Sequence, residues 1–141
     1  MSHPIIVEQK INDPVYKVWK ALTDKAEMQI WYFDIFDFEL KTGKVFNFYE
    51  PGDEKKYHHQ GEILEIFPNE KLKYSWAYPE FSEKKTIVTW ELKPDENGTL
   101  VKLIHEDIDY FNDLGEHFSR ESFTEGWNGI LKESLKPYLE N

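Results

Sequence analysis

The stretch Val88-Thr89-Trp90-Glu91-Leu92-Lys93-Pro94-Asp95-Glu96-Asn97-Gly98-Thr99-Leu100-Val101-Lys102-Leu103-Ile104-His105 decides the fold. Val88, Trp90 and Leu92 alternate with polar residues, and so do Val101, Leu103 and His105. A period of two means strands with one face turned to a core. The run Asp95-Glu96-Asn97-Gly98 lies between them, and Asn-Gly between alternating apolar segments is the strongest short hairpin signal. Two antiparallel strands joined by a tight turn are therefore predicted, with Trp90 and His105 on the buried parity.

Upstream, the same period extends back to Phe36. Phe36, Phe38 and Leu40 lead to a turn at Thr42-Gly43, and Phe46 and Phe48 run on to Pro51-Gly52-Asp53. A further strand covers about His58 to Phe67 and ends at Pro68-Asn69. Leu72, Tyr74 and Trp76 follow, before a loop through Pro79. Near the N-terminus, Ile5, Val7 and Ile11 suit a first strand that stops at Asn12-Asp13-Pro14, where a side-chain oxygen and a proline open a helix. Val15, Val18, Trp19 and Leu22 have the i, i+3, i+4, i+7 spacing of one helical face, and Thr23-Asp24 caps a shorter helix carrying Ala26, Ile30 and Trp31. The segment from Met28 to Phe38 is apolar-rich without a clean period.

Downstream the period turns helical. Phe118, Phe123, Trp127, Ile130, Leu131, Leu135 and Tyr138 form one broad stripe, with Pro137 expected to end or kink the helix. The predicted order is one strand, two helices, six consecutive strands and a long helix: an α+β domain whose curved, seven-stranded antiparallel sheet wraps a C-terminal helix, since a sheet with one apolar face needs a cover.

Composition limits what such a domain does. The chain has 141 residues, one domain's length, and no low-complexity tract or linker divides it. Aromatics make up 16 %, which excludes disorder. The 27 acidic against 17 basic residues give a net charge of −10, which disfavours nucleic acid as a partner. No cysteine is present, which removes disulfides, thiolate zinc sites and a cysteine nucleophile. There is neither a membrane-spanning apolar run nor a signal-peptide pattern at the N-terminus, so the expectation is a soluble, cytoplasmic protein.

This order of elements resembles the helix-grip fold of the START-like (SRPBCC) superfamily, and within it the domain named after the activator of the heat-shock-protein-90 ATPase. Pro14-Val15-Tyr16-Lys17-Val18-Trp19-Lys20-Ala21-Leu22-Thr23-Asp24 is similar to that family's opening P-x-x-x-V-W-x-A-L-T-D, and Trp31 stands where the family has an aromatic. Gly43-Lys44-Val45-Phe46 resembles its G-G-x-F turn, with Lys44 in place of the second glycine. Gly61-Glu62-Ile63-Leu64-Glu65-Ile66, Leu72-Lys73-Tyr74-Ser75-Trp76, Thr89-Trp90-Glu91-Leu92 and Gly126-Trp127 follow in order. The resemblance spans nearly the whole chain in one register. It implies the fold; about activity it implies little, because carriers, cyclases, hydrolases and co-chaperone domains share that fold.

The candidate site follows from parity. Phe46, Phe48, Tyr74, Trp76, Trp90, Phe123 and Trp127 fall on the concave sheet face or the facing helix, where related domains enclose an apolar cavity. Either these rings surround a space for a small hydrophobic molecule, or they fill the core themselves. His105 shares the inward parity; it either orients a ligand or acts as an acid–base group, or it is a half-buried histidine bonded to tyrosine or backbone. The adjacent His58 and His59 point to opposite faces and read as a solvated strand end. His105-Glu106-Asp107-Ile108-Asp109 matches no metal-ligand spacing, and no metal or other cofactor is expected. The pairs Glu62/Glu65 and Asp107/Asp109 are what so acidic a chain gives by chance, and the Lys55-Lys56 and Lys84-Lys85 doublets read as solubilising charges.

Three functions stay open. The first is a non-enzymatic module holding a small hydrophobic molecule between sheet and helix, with His105 or Tyr74 as polar anchor. The second is a chaperone-interaction module; the eukaryotic co-chaperones carry a separate N-terminal chaperone-binding domain, whereas this chain starts directly with its first strand. The third is a cyclase- or hydrolase-like enzyme, for which no catalytic constellation is legible.

Overall fold

A computed structural model describes residues 3–49, 58–115 and 118–140. The expected turn at Pro51-Gly52-Asp53 and the Lys55-Lys56 doublet lie outside the described residues. The strands are β1 (Ile5–Ile11), β2 (Val45–Tyr49), β3 (His58–Phe67), β4 (Lys71–Ala77), β5 (Lys85–Asp95) and β6 (Gly98–Glu106). They form one antiparallel sheet in the order β1-β6-β5-β4-β3-β2. Helices α1 (Val15–Thr23) and α2 (Lys25–Trp31) separate β1 from β2, and a 3-10 helix, Ile108–Leu114, follows β6. The chain ends in a continuous helical run: α3 (Arg120–Asn128), a π-helical stretch (Gly129–Leu135) and α4 (Lys136–Glu140).

Among the described residues the sheet has six strands, not seven. Phe36, Phe38 and Leu40 alternate as a strand does, but the segment is a turn in which the Phe38 amide donates to the Ile35 carbonyl at 3.0 Å. The Asp37 carboxylate then takes the Asn47 amide (2.8 Å) and side-chain nitrogen (2.9 Å), holding the turn against β2. Ile35 fills the core while Phe36 is exposed, so a loop packed on one side imitates a strand's period.

The Asp95–Gly98 hairpin closes one residue earlier than Asn-Gly would place it. Asp95 pairs with Gly98, leaving Glu96 and Asn97 as the loop, with Glu96 at positive φ. A Cβ at Gly98 would run into the Ile11 carbonyl oxygen, so this glycine serves close approach to β1.

Asp24 caps α2 as expected, accepting from the Ala26 amide at 2.9 Å. At α1 the expected side-chain cap does not form: Pro14 itself is the N-cap, and its carbonyl accepts from the Lys17 and Val18 amides. The buried face of α2 is Met28 and Trp31; Ala26 and Ile30 face outward.

Pro137 changes the winding of the last helix without ending it. Proline has no amide hydrogen and its ring crowds the carbonyl four residues back. The preceding stretch is wound in π geometry, and the Lys136 amide reaches the Leu131 carbonyl five residues back. Phe123, Trp127, Leu131 and Leu135, spaced by four, all face the sheet and are buried. In a pure α-helix each four-residue step overshoots a full turn by about 40°, so the stripe would drift by about 120° over three steps. The wider π turns absorb that drift.

Gly61, opposite Phe46 in the β2–β3 pairing, shows how tightly this end is packed. A Cβ there would lie 2.5 Å from the Phe46 ring and 2.7 Å from the Ser75 carbonyl oxygen. Gly61→Ala is expected to destabilise the fold by about 2–3 kcal/mol, the cost of overpacking a closed core, as read from urea denaturation.

Candidate functional site

The concave face is covered by α1 and α2 in one part and by the last helix in another, which gives two compartments of different character. The one under α2 is nearly filled and is the closed compartment. Leu22, Met28, Trp31, Tyr32, Ile35, Phe38, Phe46, Tyr74 and Trp90 surround only about 10 Å³ of free space. Its polar atoms satisfy one another: the Trp90 indole N–H donates to the Tyr74 hydroxyl at 2.9 Å, and the Tyr32 and Tyr74 hydroxyls share a hydrogen bond at 3.1 Å. Burial pushes the Tyr74 phenol up to about 12 and raises Tyr32 as well. Both hydroxyls therefore stay protonated across the physiological range.

The other compartment is an open cavity of about 280 Å³. The sheet contributes His59 from β3, Trp76 at the end of β4 and Tyr78 just beyond it. The helix contributes Ser122, Phe123, Gly126 and Trp127, continued by Ile130. Phe33, following α2, and Phe118, preceding α3, complete the wall. Its volume lies just below the ~300–1,000 Å³ typical of small-molecule pockets. Among the described residues lining it there is no carboxylate, lysine or arginine. The polar groups are the His59 imidazole, the Ser122 hydroxyl and the Tyr78 phenol, which accepts from the Trp76 indole at 2.9 Å.

Rings Phe48 and Trp127 stand between the compartments. Phe48 stacks on His59 (centroids 4.6 Å apart) and meets Trp76 edge-on at 5.5 Å. Trp127 packs against Trp76 at 5.2 Å on the cavity side and against Trp90 at 5.8 Å on the closed side.

Trp127 is held by a buried polar chain. Its indole N–H donates to His105 Nδ1 at 3.0 Å. His105 Nε2 lies 2.7 Å from Thr86 Oγ1, whose own hydrogen goes to the Trp76 carbonyl at 2.9 Å. The Thr86 proton is thus committed, so Nε2 carries the imidazole hydrogen and Nδ1 is the acceptor. Every member is satisfied only while the ring is neutral. Burial lowers the His105 pKa to about 3, so it is neutral at physiological pH.

Of the residues singled out from the sequence, Trp76, Phe123 and Trp127 line the cavity, while Phe46, Tyr74 and Trp90 line the closed compartment. Phe48 sits between the two. His105 is fully buried off the cavity, bonded to Trp127 and Thr86 rather than to tyrosine or backbone. With both ring nitrogens engaged, it does not gather with Glu106 and Asp107, and among the described residues no three potential metal ligands cluster. His59 is not the solvated strand end expected: it is buried and faces the cavity, while His58 turns outward to Asn47 at 2.7 Å.

As cavity residues, sequence reasoning missed Phe33, His59, Tyr78, Phe118, Ser122, Gly126 and Ile130. Two of these were readable: His59 shares the parity of Gly61 and Ile63, and Tyr78 continues Tyr74 and Trp76. Phe33 follows Trp31-Tyr32 as a third consecutive aromatic, in the segment without a clean period.

None of the helices among the described residues is long and apolar enough to cross a membrane. Comparison with curated proteins returns no significant match. Among solved structures the chain is similar to MLL2253 from Mesorhizobium loti, with 24 % identity, TM-score 0.78, and 97 % and 96 % of the two chains covered. It is similar to CV1439 from Chromobacterium violaceum at 19 % identity and TM-score 0.82, over 99 % of each chain. CalU16 from Micromonospora echinospora matches at 26 % identity and TM-score 0.71, over 96 % of this chain and 75 % of that one. The family model described as Activator of Hsp90 ATPase homolog 1-like protein matches residues 12–140, and with the six-stranded sheet closed by a C-terminal helix this establishes that the chain belongs to that family.

Proposed function

We propose that this domain binds a small, uncharged, largely hydrophobic molecule in the cavity between sheet and C-terminal helix, and does so without catalysing a reaction. The observation that carries this reading is the cavity of about 280 Å³, walled by aromatic rings with three polar groups and, among the described residues, no charged lining side chain. Burial of apolar area drives such binding, and the His59, Ser122 and Tyr78 groups orient the ligand. Catalysis is disfavoured because the buried imidazole is tied up on both nitrogens, away from the cavity.

The probe for this reading is N-phenyl-1-naphthylamine, a neutral fluorophore that brightens in apolar surroundings. For a ligand of this size the expected dissociation constant is on the order of 10 μM. In NMR spectra the indole N–H signals of Trp76 and Trp127 should shift on saturation, while that of Trp19, on α1, should not. No saturable binding, or shifts at Trp19 alone, would overturn the reading.

The family's description supports a second reading, a contact with a chaperone ATPase. Stimulation of an Hsp90-type ATPase by the purified domain would favour it, and unchanged turnover with no co-migration would exclude it.

A further inference from the structure

Gly126 sits inside α3, where glycine is among the poorest helix formers. The usual reasons for a glycine do not hold here. Its φ is not positive, and a Cβ built on it meets no atom within 4 Å, so no neighbouring backbone or side chain demands the missing carbon.

Its place on the helix supplies a different reason. At about 100° per residue, and taking Ser122 as zero, Gly126 falls near 40°, Phe123 near 100° and Trp127 near 140°. All four line the cavity. Gly126 therefore lies within the arc that faces the cavity, between Ser122 and Phe123. Unlike Phe123 and Trp127 it is solvent-exposed, so it marks the mouth.

We infer that Gly126 is the portal residue of the cavity: the side chain absent at this position keeps the mouth open and sets the size of molecule that enters. The inference rests on the ligand-binding reading above. It adds to it a residue that determines access and carries no contact energy of its own. In an open helix-interior position alanine or leucine forms helix better than glycine, so stability and binding should change in opposite directions.

The experiment compares wild type, Gly126→Ala and Gly126→Leu by thermal unfolding and by titration with N-phenyl-1-naphthylamine. Gly126→Ala is expected to raise Tm by about 2–4 °C with a small loss of affinity. Gly126→Leu should keep Tm at or above that of wild type and weaken the probe by tenfold or more. If wild type binds and Gly126→Leu binds equally well, the portal is overturned and the ligand reading stands. A Tm well below wild type in Gly126→Leu also overturns it, since the position would then not be open. If wild type does not bind the probe at all, the ligand reading fails and the portal with it.

Discussion

Trp127→Ala is expected to lower the stability of the domain by about 4 kcal/mol, which for a chain of this length is a fall in Tm on the order of 10–15 °C. The residue is 2 % exposed and touches rings in both compartments, so truncation leaves a void where the closed side meets the open cavity. It also removes the donor to His105 Nδ1. Trp127→Phe separates the two contributions. It keeps most of the ring volume but leaves a buried acceptor without a partner, a loss of about 1–3 kcal/mol. Equilibrium denaturation of both variants is the check: if Trp127→Phe is as stable as wild type, the hydrogen bond to His105 carries no weight.

Acidification should cost nearly as much, through the same chain. The native His105 pKa is about 3 against an ordinary 6.5, so between these values the unfolded chain binds a proton that the native one does not. The stability contributed by neutral His105 is therefore complete above pH 6.5 and is lost progressively as pH falls toward 3. At about 1.4 kcal/mol per unit, roughly 3 kcal/mol is gone two units below the unfolded value. The measurement is the pH dependence of the unfolding free energy, wild type against His105→Gln. The variant begins less stable, because glutamine does not reproduce the bonds to both Trp127 and Thr86, but its slope between pH 6 and 4 should be shallower by up to one proton. Glu65 and Glu140, whose carboxyls are held below their usual range by Lys71 and Lys136, titrate alike in both proteins and cancel. Parallel curves would show that His105 is not the buried neutral group described.

The strands were legible because one sheet face is buried along its length, and a residue of the wrong parity there would place an apolar side chain in water. Val88 through His105 needed nothing else. The same rule misled at Phe36–Leu40, where a loop packed on the core alternates for three residues, too few to tell from a strand. It applies to His58 and His59 as well: neighbouring side chains of a strand face opposite sides, so one of the pair must point inward, and it is His59.

Three of the lining rings, Trp76, Phe123 and Trp127, were legible; that they leave a gap was not. A sequence specifies rings, and whether they leave a gap depends on how far the helix stands from the sheet. Here the helix is tied to the sheet by the His105–Trp127 bond and is wound in π geometry ahead of Pro137, and neither feature has a local sequence period. The glycine at the mouth is legible in the sequence only as half of the Gly126-Trp127 pair, since an absent side chain leaves no pattern to read.

The division of one core into a filled and an open compartment bears on how such a chain diverges. Substitutions in the closed half, at Phe46 or Trp90, meet neighbours on every side and are filtered by stability. Those at Ser122 or Ile130 border the cavity and are only partly buried, so a larger or smaller side chain there alters the shape of the space more than the integrity of the fold. Sites that touch no common partner change nearly independently. The shape of the cavity can therefore change while the scaffold is kept, with Phe48 and Trp127 as the boundary between what is free to vary and what is not.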